Sequence, residues 1–194
     1  MKTKTLNTNR FIKLSLLSAI AVILMYIDFP VIPIFPWLKI DLSDVPALLG
    51  AFGFGPIVGI LIELIKNLLY FFIKGSSIAG VIANFIVGSA LVLPAGFIYH
   101  RNKSKKNAIV GMVVGLLIME VAGILANVYI LLPLYGMQMS PEELAKYVTV
   151  GLLPFNGVKA AMVNVLTYFL YKRVSVSIFK AEPNFGSVTD KKTV

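Results

Sequence analysis

The sequence predicts an all-α integral membrane protein: a compact bundle of six transmembrane helices, with a long ordered loop between helices 1 and 2. Three observations carry this. Hydrophobic residues make up 58% of the 194 and charged residues 14%, where soluble domains carry roughly 25% charge. The apolar residues fall into runs near the ~20 residues that cross a bilayer core, and mean hydropathy is +0.86. The basic residues gather at the flanks of those runs: Lys2, Lys4, Arg10 and Lys13, then Arg101, Lys103, Lys105 and Lys106, then Lys172, Arg173, Lys180, Lys191 and Lys192. Such clustering marks cytoplasmic loops. The net charge of +9 therefore argues for membrane topology and against nucleic acid as a partner.

Each element has its own signals. Residues 1–10 form a short cytoplasmic segment, residues 11–180 the six-helix membrane domain, and residues 181–194 a polar, disordered cytoplasmic tail. Span one covers residues 11–29. A basic start followed by an apolar run resembles a secretory signal, but no small-x-small cleavage site follows, so the helix is expected to be retained. Pro30, Pro33 and Pro36 then make residues 30–43 extended or irregular, because proline removes a donor and disfavours helix before it. Ser43 or Asp44 can cap a new helix with Pro46 in its first turn. The apolar run 45–73 is too long for one span. Gly50, Gly53, Gly55 and Pro56 divide it into a short span two (45–54) and span three (56–73). Span four covers 78–99 and, after a basic turn, span five covers 108–134. The polar loop 135–149 contains Ser140–Pro141–Glu142–Glu143, the N-cap and first turn of a short surface helix. Span six covers 150–171. Six spans put both termini, and all three basic clusters, on the cytoplasmic side. The other face receives Lys39, Lys74 and Lys146 with Asp28, Asp41, Asp44, Glu142 and Glu143. No internal repeat is visible, which argues against an inverted-repeat transporter.

The chemistry is narrow. With no cysteine and a single histidine, His100, the chain offers no disulfide, no thiolate and no His-cluster metal site. It lacks the phosphate-binding GxxxxGK[ST] loop, a Ser/His/Asp set and paired catalytic carboxylates. No catalytic residues, metal or cofactor are expected; the chain binds or conducts something.

Ionisable residues inside spans are costly and usually functional. They are Glu63, Lys66, Glu120 and Lys159, joined by the amides Asn67, Asn84, Asn127, Asn156 and Asn164. Glu63, Lys66 and Asn67 share one helix face at i, i+3, i+4, and an internal ion pair that holds helices together is preferred there over ligand contact. Glu120 is grouped with them as a structural buried polar residue that can reach Lys66. Asn127 lies seven residues beyond it on the same face. Asn156 and Lys159 are i, i+3 in span six. Lys159 has no carboxylate within its own helix, and an unpaired buried ammonium costs several kcal/mol. It needs a partner from another helix or from a ligand. The ligand reading is preferred for Asn127, Asn156 and Lys159; interhelical hydrogen bonding is preferred for Asn84 and Asn164. With Trp37, Tyr129, Tyr135 and Phe155, these residues describe an outward pocket suited to a flat, polar-edged molecule.

The stretch F-P-W-L-K-I-D-L-S-D-V-P (Phe35–Pro46), then G-F-G-P-I-V-G, resembles the substrate-binding S component of energy-coupling factor (ECF) vitamin transporters, and within it the riboflavin-specific branch. The resemblance extends over nearly the whole chain and includes Asn156 and Lys159 in span six and Asn127 late in span five. It implies a bacterial cell-membrane protein that captures riboflavin from outside. A separate transmembrane coupling protein and two ATPase subunits would supply the energy. It further implies that the first loop covers the pocket, that Asn127, Asn156 and Lys159 contact the isoalloxazine ring, and that Leu38, Lys39 and Asp41 flank it. For Asp44 a helix-cap role is preferred. Small residues on the first helix dock the coupling protein in that family; here Ser15 and Ala19 stand in their place, with packing inside the chain as the competing role. Other readings remain: another vitamin, FMN with Lys39 or Lys74 on its phosphate, a stand-alone carrier with Glu63, Lys66 and Glu120 as a proton relay, or a scaffold.

Overall fold

The computed structural model describes residues 8–177; the expected tail 181–194 and most of the expected N-terminal segment lie outside the described residues. Helix α1 (Thr8–Tyr26) ends earlier than its apolar run, because Phe29–Pro30 leaves it as a short strand, β1. β1 pairs antiparallel with β2 (Lys39–Ile40), Phe29 opposite Ile40 and Pro30 opposite Lys39. The loop between them is built of tight turns, with Phe35 N–H donating to Ile32 O and Leu38 N–H to Phe35 O, both at 2.9 Å.

Helices α2 (Asp44–Phe54) and α3 (Pro56–Lys74) divide at Gly55, whose φ of 111° is a conformation that side chains with a Cβ rarely adopt. Pro56 then opens α3 at a position where its missing N–H costs nothing. α2 has 11 residues, about 16 Å at 1.5 Å per residue, so it covers only part of a ~30 Å hydrocarbon core, and the first loop completes that crossing, which runs from Lys39 at the loop end to Phe54 beside Arg10 at the basic end. Its residues from Asp44 to Phe52 are all buried, and it packs against α1, α3, α4 and α8 (α8 is Leu153–Ser177). It is the interior helix of the bundle. The other five helical stretches are long and apolar enough to cross a membrane.

α4 (Ile78–Arg101) and α5 (Lys105–Ala126) form an antiparallel pair joined by a short basic turn. α5 continues through a π-helical segment (Asn127–Leu131) into a last turn, α6 (Leu132–Leu134). After Gly136, α7 (Pro141–Lys146) starts on a capping box in which Ser140 N–H donates to Glu143 Oε2 and Glu143 N–H to Ser140 Oγ. α7 does not stop as a separate surface helix, as the polarity of residues 135–149 suggests. It runs through a second π segment (Tyr147–Leu152) into α8. Both π segments have one cause. Pro133 and Pro154 cannot donate to the carbonyls four residues back, on Tyr129 and Val150, and a widened turn absorbs the missing bond and the ring clash.

Apolar side chains such as Ile57, Phe72, Leu117 and Phe169 are exposed around the bundle, which is the lipid-facing surface. At the basic end the interior is closed by Phe52 packed 4.7 Å from Tyr99 and 5.4 Å from Tyr171, whose hydroxyls bond each other. The opposite, loop end stays open.

Candidate ligand-binding site

A cavity opens at the loop end, with polar and apolar side chains converging on it, as small-molecule sites require. Its floor and walls come from α4 (Ala83, Asn84, Val87), from the π segment after α5 (Asn127, Leu131) and from α8 (Phe155, Asn156, Lys159). The first loop forms the remaining side. Residues 37–40 alternate exposed and buried, as an extended strand requires. Leu38 and Ile40 turn inward, while Trp37 and Lys39 stand at the mouth beside Tyr135. A small core of Phe35, Leu38, Leu132, Tyr147 and Leu152 pins this loop onto α6 and the second π segment.

Behind the cavity lies a buried charge cluster. Lys66 Nζ donates to Ser43 Oγ at 2.8 Å, lies 2.8 Å from Glu63 Oε2 and contacts Asp44 Oδ1. Lys159 Nζ lies 3.2 Å from Asp44 Oδ2 and 3.3 Å from Asp41 Oδ2. Asp44, Glu63 and Lys66 are wholly buried, Asp41 and Lys159 nearly so. α4 can lie over this cluster only because residue 88 is glycine: a Cβ there would overlap the Glu63 carboxylate and come 3.2 Å from Asp44 Oδ1. Lys159 thus faces two ways. Its carboxylate partners hold the ammonium in place, and the residue lines the cavity.

A second set of bonds holds the roof. Trp37 Nε1–H donates to Tyr147 Oη at 3.3 Å, and Tyr147 O–H to Asn127 Oδ1 at 2.9 Å. Asn127 Nδ2 donates to Gly123 O at 2.8 Å. Asn127 therefore meets the cavity with one N–H and one lone pair to spare. Asn84 Oδ1 has no partner among the described residues.

Of the residues singled out from the sequence, Leu38, Lys39, Asn127, Asn156 and Lys159 line the cavity. Asp41 does not. Its Oδ1 accepts Ser43 N–H at 2.8 Å in a turn, and its other oxygen braces Lys159 from behind. The cap role preferred for Asp44 is corrected: the N-terminal turn of α2 points into the bundle, where its carboxylate meets both lysines, and Ser43 makes no cap bond either. Glu63 and Lys66 pair within α3. Glu120 makes no ion pair with Lys66; it is half-buried and lies against Gly157 of α8. Asn84 belongs to the cavity wall rather than to a helix–helix bond, whereas Asn164 donates across to Met112 O at 3.2 Å. Tyr129 is 73% exposed and lies outside the pocket. Tyr147 was not legible as a site residue, since it sits in a stretch that reads as loop. Pro154, seven residues on, is the signal that the helix there is distorted. Ser15 and Ala19 are both exposed on α1, on the side opposite buried Leu17, Ser18 and Ala21, so neither is buried among the described residues.

A membrane bundle with a polar-edged cavity under an ordered loop fits a substrate-capturing transporter subunit. The family described as ECF transporter, substrate-specific component, matches residues 9–171, and the chain belongs to it. It is 37% identical over 170 residues to the riboflavin transporter RibU of Staphylococcus aureus (strain TCH60), covering 86% of this chain and 90% of that one. It is 34% identical over 175 residues to the riboflavin transporter FmnP of Bacillus subtilis (strain 168), covering 86% and 92%. A solved S component of a bacterial ECF transporter superposes with a TM-score of 0.76 at 37% identity, covering 87% of this chain and 96% of that one.

Proposed function

We propose that this subunit binds riboflavin in the loop-end cavity and serves as the vitamin-capturing component of an ATP-driven uptake transporter. The carrying observation is the cavity wall itself. Three amides (Asn84, Asn127, Asn156) and one braced cation, Lys159, converge on a space otherwise bounded by Leu38, Leu131, Phe155 and Trp37. Apolar faces for a flat ring, with directional donors and an acceptor at one edge, match an isoalloxazine. The names of the two relatives support that ligand. The basic end, with Arg101, Lys103 and Lys105, belongs in the cytoplasm by the charge rule, so the cavity opens outward and both termini lie inside. Exposed Ser15 and Ala19 allow close approach of another helix, which suits docking of the coupling protein that works with two ATPases.

Riboflavin is favoured over FMN. Lys39 at the mouth, and Lys74 behind it, lie 3.4 and 3.5 Å from Asp28, so a phosphate on Lys39 would have to displace a carboxylate. A proton relay through Glu63, Lys66 and Glu120 is disfavoured, since Glu120 stands apart from the other two. The test is a fluorescence titration of the detergent-purified chain. Saturable quenching of riboflavin at one flavin per chain is expected; an unchanged flavin signal would sink the proposal.

A further inference from the structure

The basic end carries a second cavity that the vitamin site does not use. It lies between the start of α1, the end of α2 and the α4–α5 turn, and is lined by Arg10, Lys13, Phe54, His100 and Lys103. We propose that it is a binding site for the phosphate headgroup of an anionic phospholipid.

Four observations carry this. The first is charge: three permanent cations and an imidazole converge, and no carboxylate lines the cleft among the described residues. The second is that the cleft is built. His100 Nε2 lies 3.0 Å from Ala51 O and 3.1 Å from Phe52 O, and the Arg10 guanidinium bonds Phe54 O while lying 5.8 Å over the Phe54 ring. These bonds satisfy terminal carbonyls of α2 and fix the cleft's inner wall. The third is that Lys13 and Lys103 take part in no ion pair or hydrogen bond within the described chain, leaving two ammonium groups free for an anion. The fourth selects the occupant. The cleft sits where membrane-spanning helices end, and the neighbouring Phe11 and Ile12 are 63% and 61% exposed, offering apolar surface to acyl chains beside the cations. Basic pockets at the cytoplasmic end of spans are suited to lipid headgroups.

The test is native mass spectrometry of the full chain, delipidated in detergent and titrated with phosphatidylglycerol, phosphatidylcholine, inorganic phosphate and an acidic peptide in turn. One phosphatidylglycerol should bind well ahead of phosphatidylcholine. The K13A/K103A pair should weaken it on the order of 30-fold, about fivefold per lysine, with an unchanged melting profile. If the pair unfolds the protein, Lys103→Ala alone, in the exposed turn, should weaken it about fivefold. Equal binding of the two lipids, or undiminished phosphatidylglycerol binding in a folded variant, would overturn the site. Competition by inorganic phosphate at matched concentration, or preference for the acidic peptide, would overturn the lipid assignment. None of these readouts depends on riboflavin.

Discussion

Glu63 and Asn156 are both buried polar residues on membrane-spanning helices, yet they belong to regions built on opposite terms. Around Glu63 the protein supplies its own ionic partners: Lys66 is met by Asp44, Glu63 and Ser43, and Asp44 is met again by Lys159. Around Asn156, which packs on Gly123 with Glu120 beside it, the wall borders the cavity, with Asn84 Oδ1 unpartnered and Asn127 only partly engaged. The difference teaches that burial alone does not identify a binding residue in a membrane bundle. What separates the two regions is whether the polar group is answered from within the chain. Lys159 joins them, held by Asp41 and Asp44 and presented to the cavity.

The largest effect should come from breaking the self-contained region. Lys66→Met leaves Asp44 and Glu63 facing one another without the ammonium between them. Removing one partner of a buried ion pair costs about 3–5 kcal/mol, and the yield of monodisperse protein and its melting temperature in detergent should collapse. A variant that melts with wild type would dissolve the distinction between the regions. Next is the residue they share. Lys159→Ala removes a charged hydrogen-bond donor worth about 1.5–3 kcal/mol and should weaken riboflavin binding on the order of a hundredfold, while also lowering the melting temperature. Binding retained at wild-type strength would take Lys159 out of the site.

The cavity wall should behave differently. Asn127→Ala loses a wall amide and also the acceptor for Tyr147, so flavin affinity should drop on the order of tenfold, with a modest fall in melting temperature. The smallest change sharpens the picture at the mouth. Trp37→Phe keeps an aromatic face but loses the indole N–H to Tyr147, and should cost roughly threefold in affinity. A larger loss measured by the same titration would give the Trp37–Tyr147 bond more weight than its 3.3 Å length suggests.

Much of the bundle was legible because membrane spans announce themselves by length and charge. Four residues, Gly50, Gly53, Gly55 and Pro56, could each have divided α2 from α3; the break falls at Gly55, where the backbone takes a positive φ. Helix starts were read late where hydropathy was followed instead of caps: α5 begins at Lys105, behind Ser104, whose Oγ accepts Asn107 N–H at 3.2 Å. The polarity of residues 135–149 hid a helix that α8 continues, and only Pro154 hinted at its distorted turn. For the site, spacing within one helix was enough to group Asn156 with Lys159 and Glu63 with Lys66. It could not reveal that Asp41 and Asp44 answer Lys159, because that contact joins residues 118 positions apart in the case of Asp41. Periodicity reports which face a residue occupies; it carries no information on which element packs against that face. The same limit holds for Asn84, whose place in the cavity wall depends on what packs around α4.

The most direct test sets one residue from each region side by side. Asn156→Ala and Glu63→Gln are purified in parallel, and each is measured for melting temperature and for riboflavin affinity by fluorescence quenching. Asn156→Ala should bind riboflavin about tenfold more weakly at a wild-type melting temperature, and Glu63→Gln should melt lower while its folded fraction binds at wild-type strength. The reverse pattern, with Asn156→Ala destabilised but binding normally and Glu63→Gln stable but blind to the vitamin, would contradict the division between a self-contained core and a ligand-reading wall.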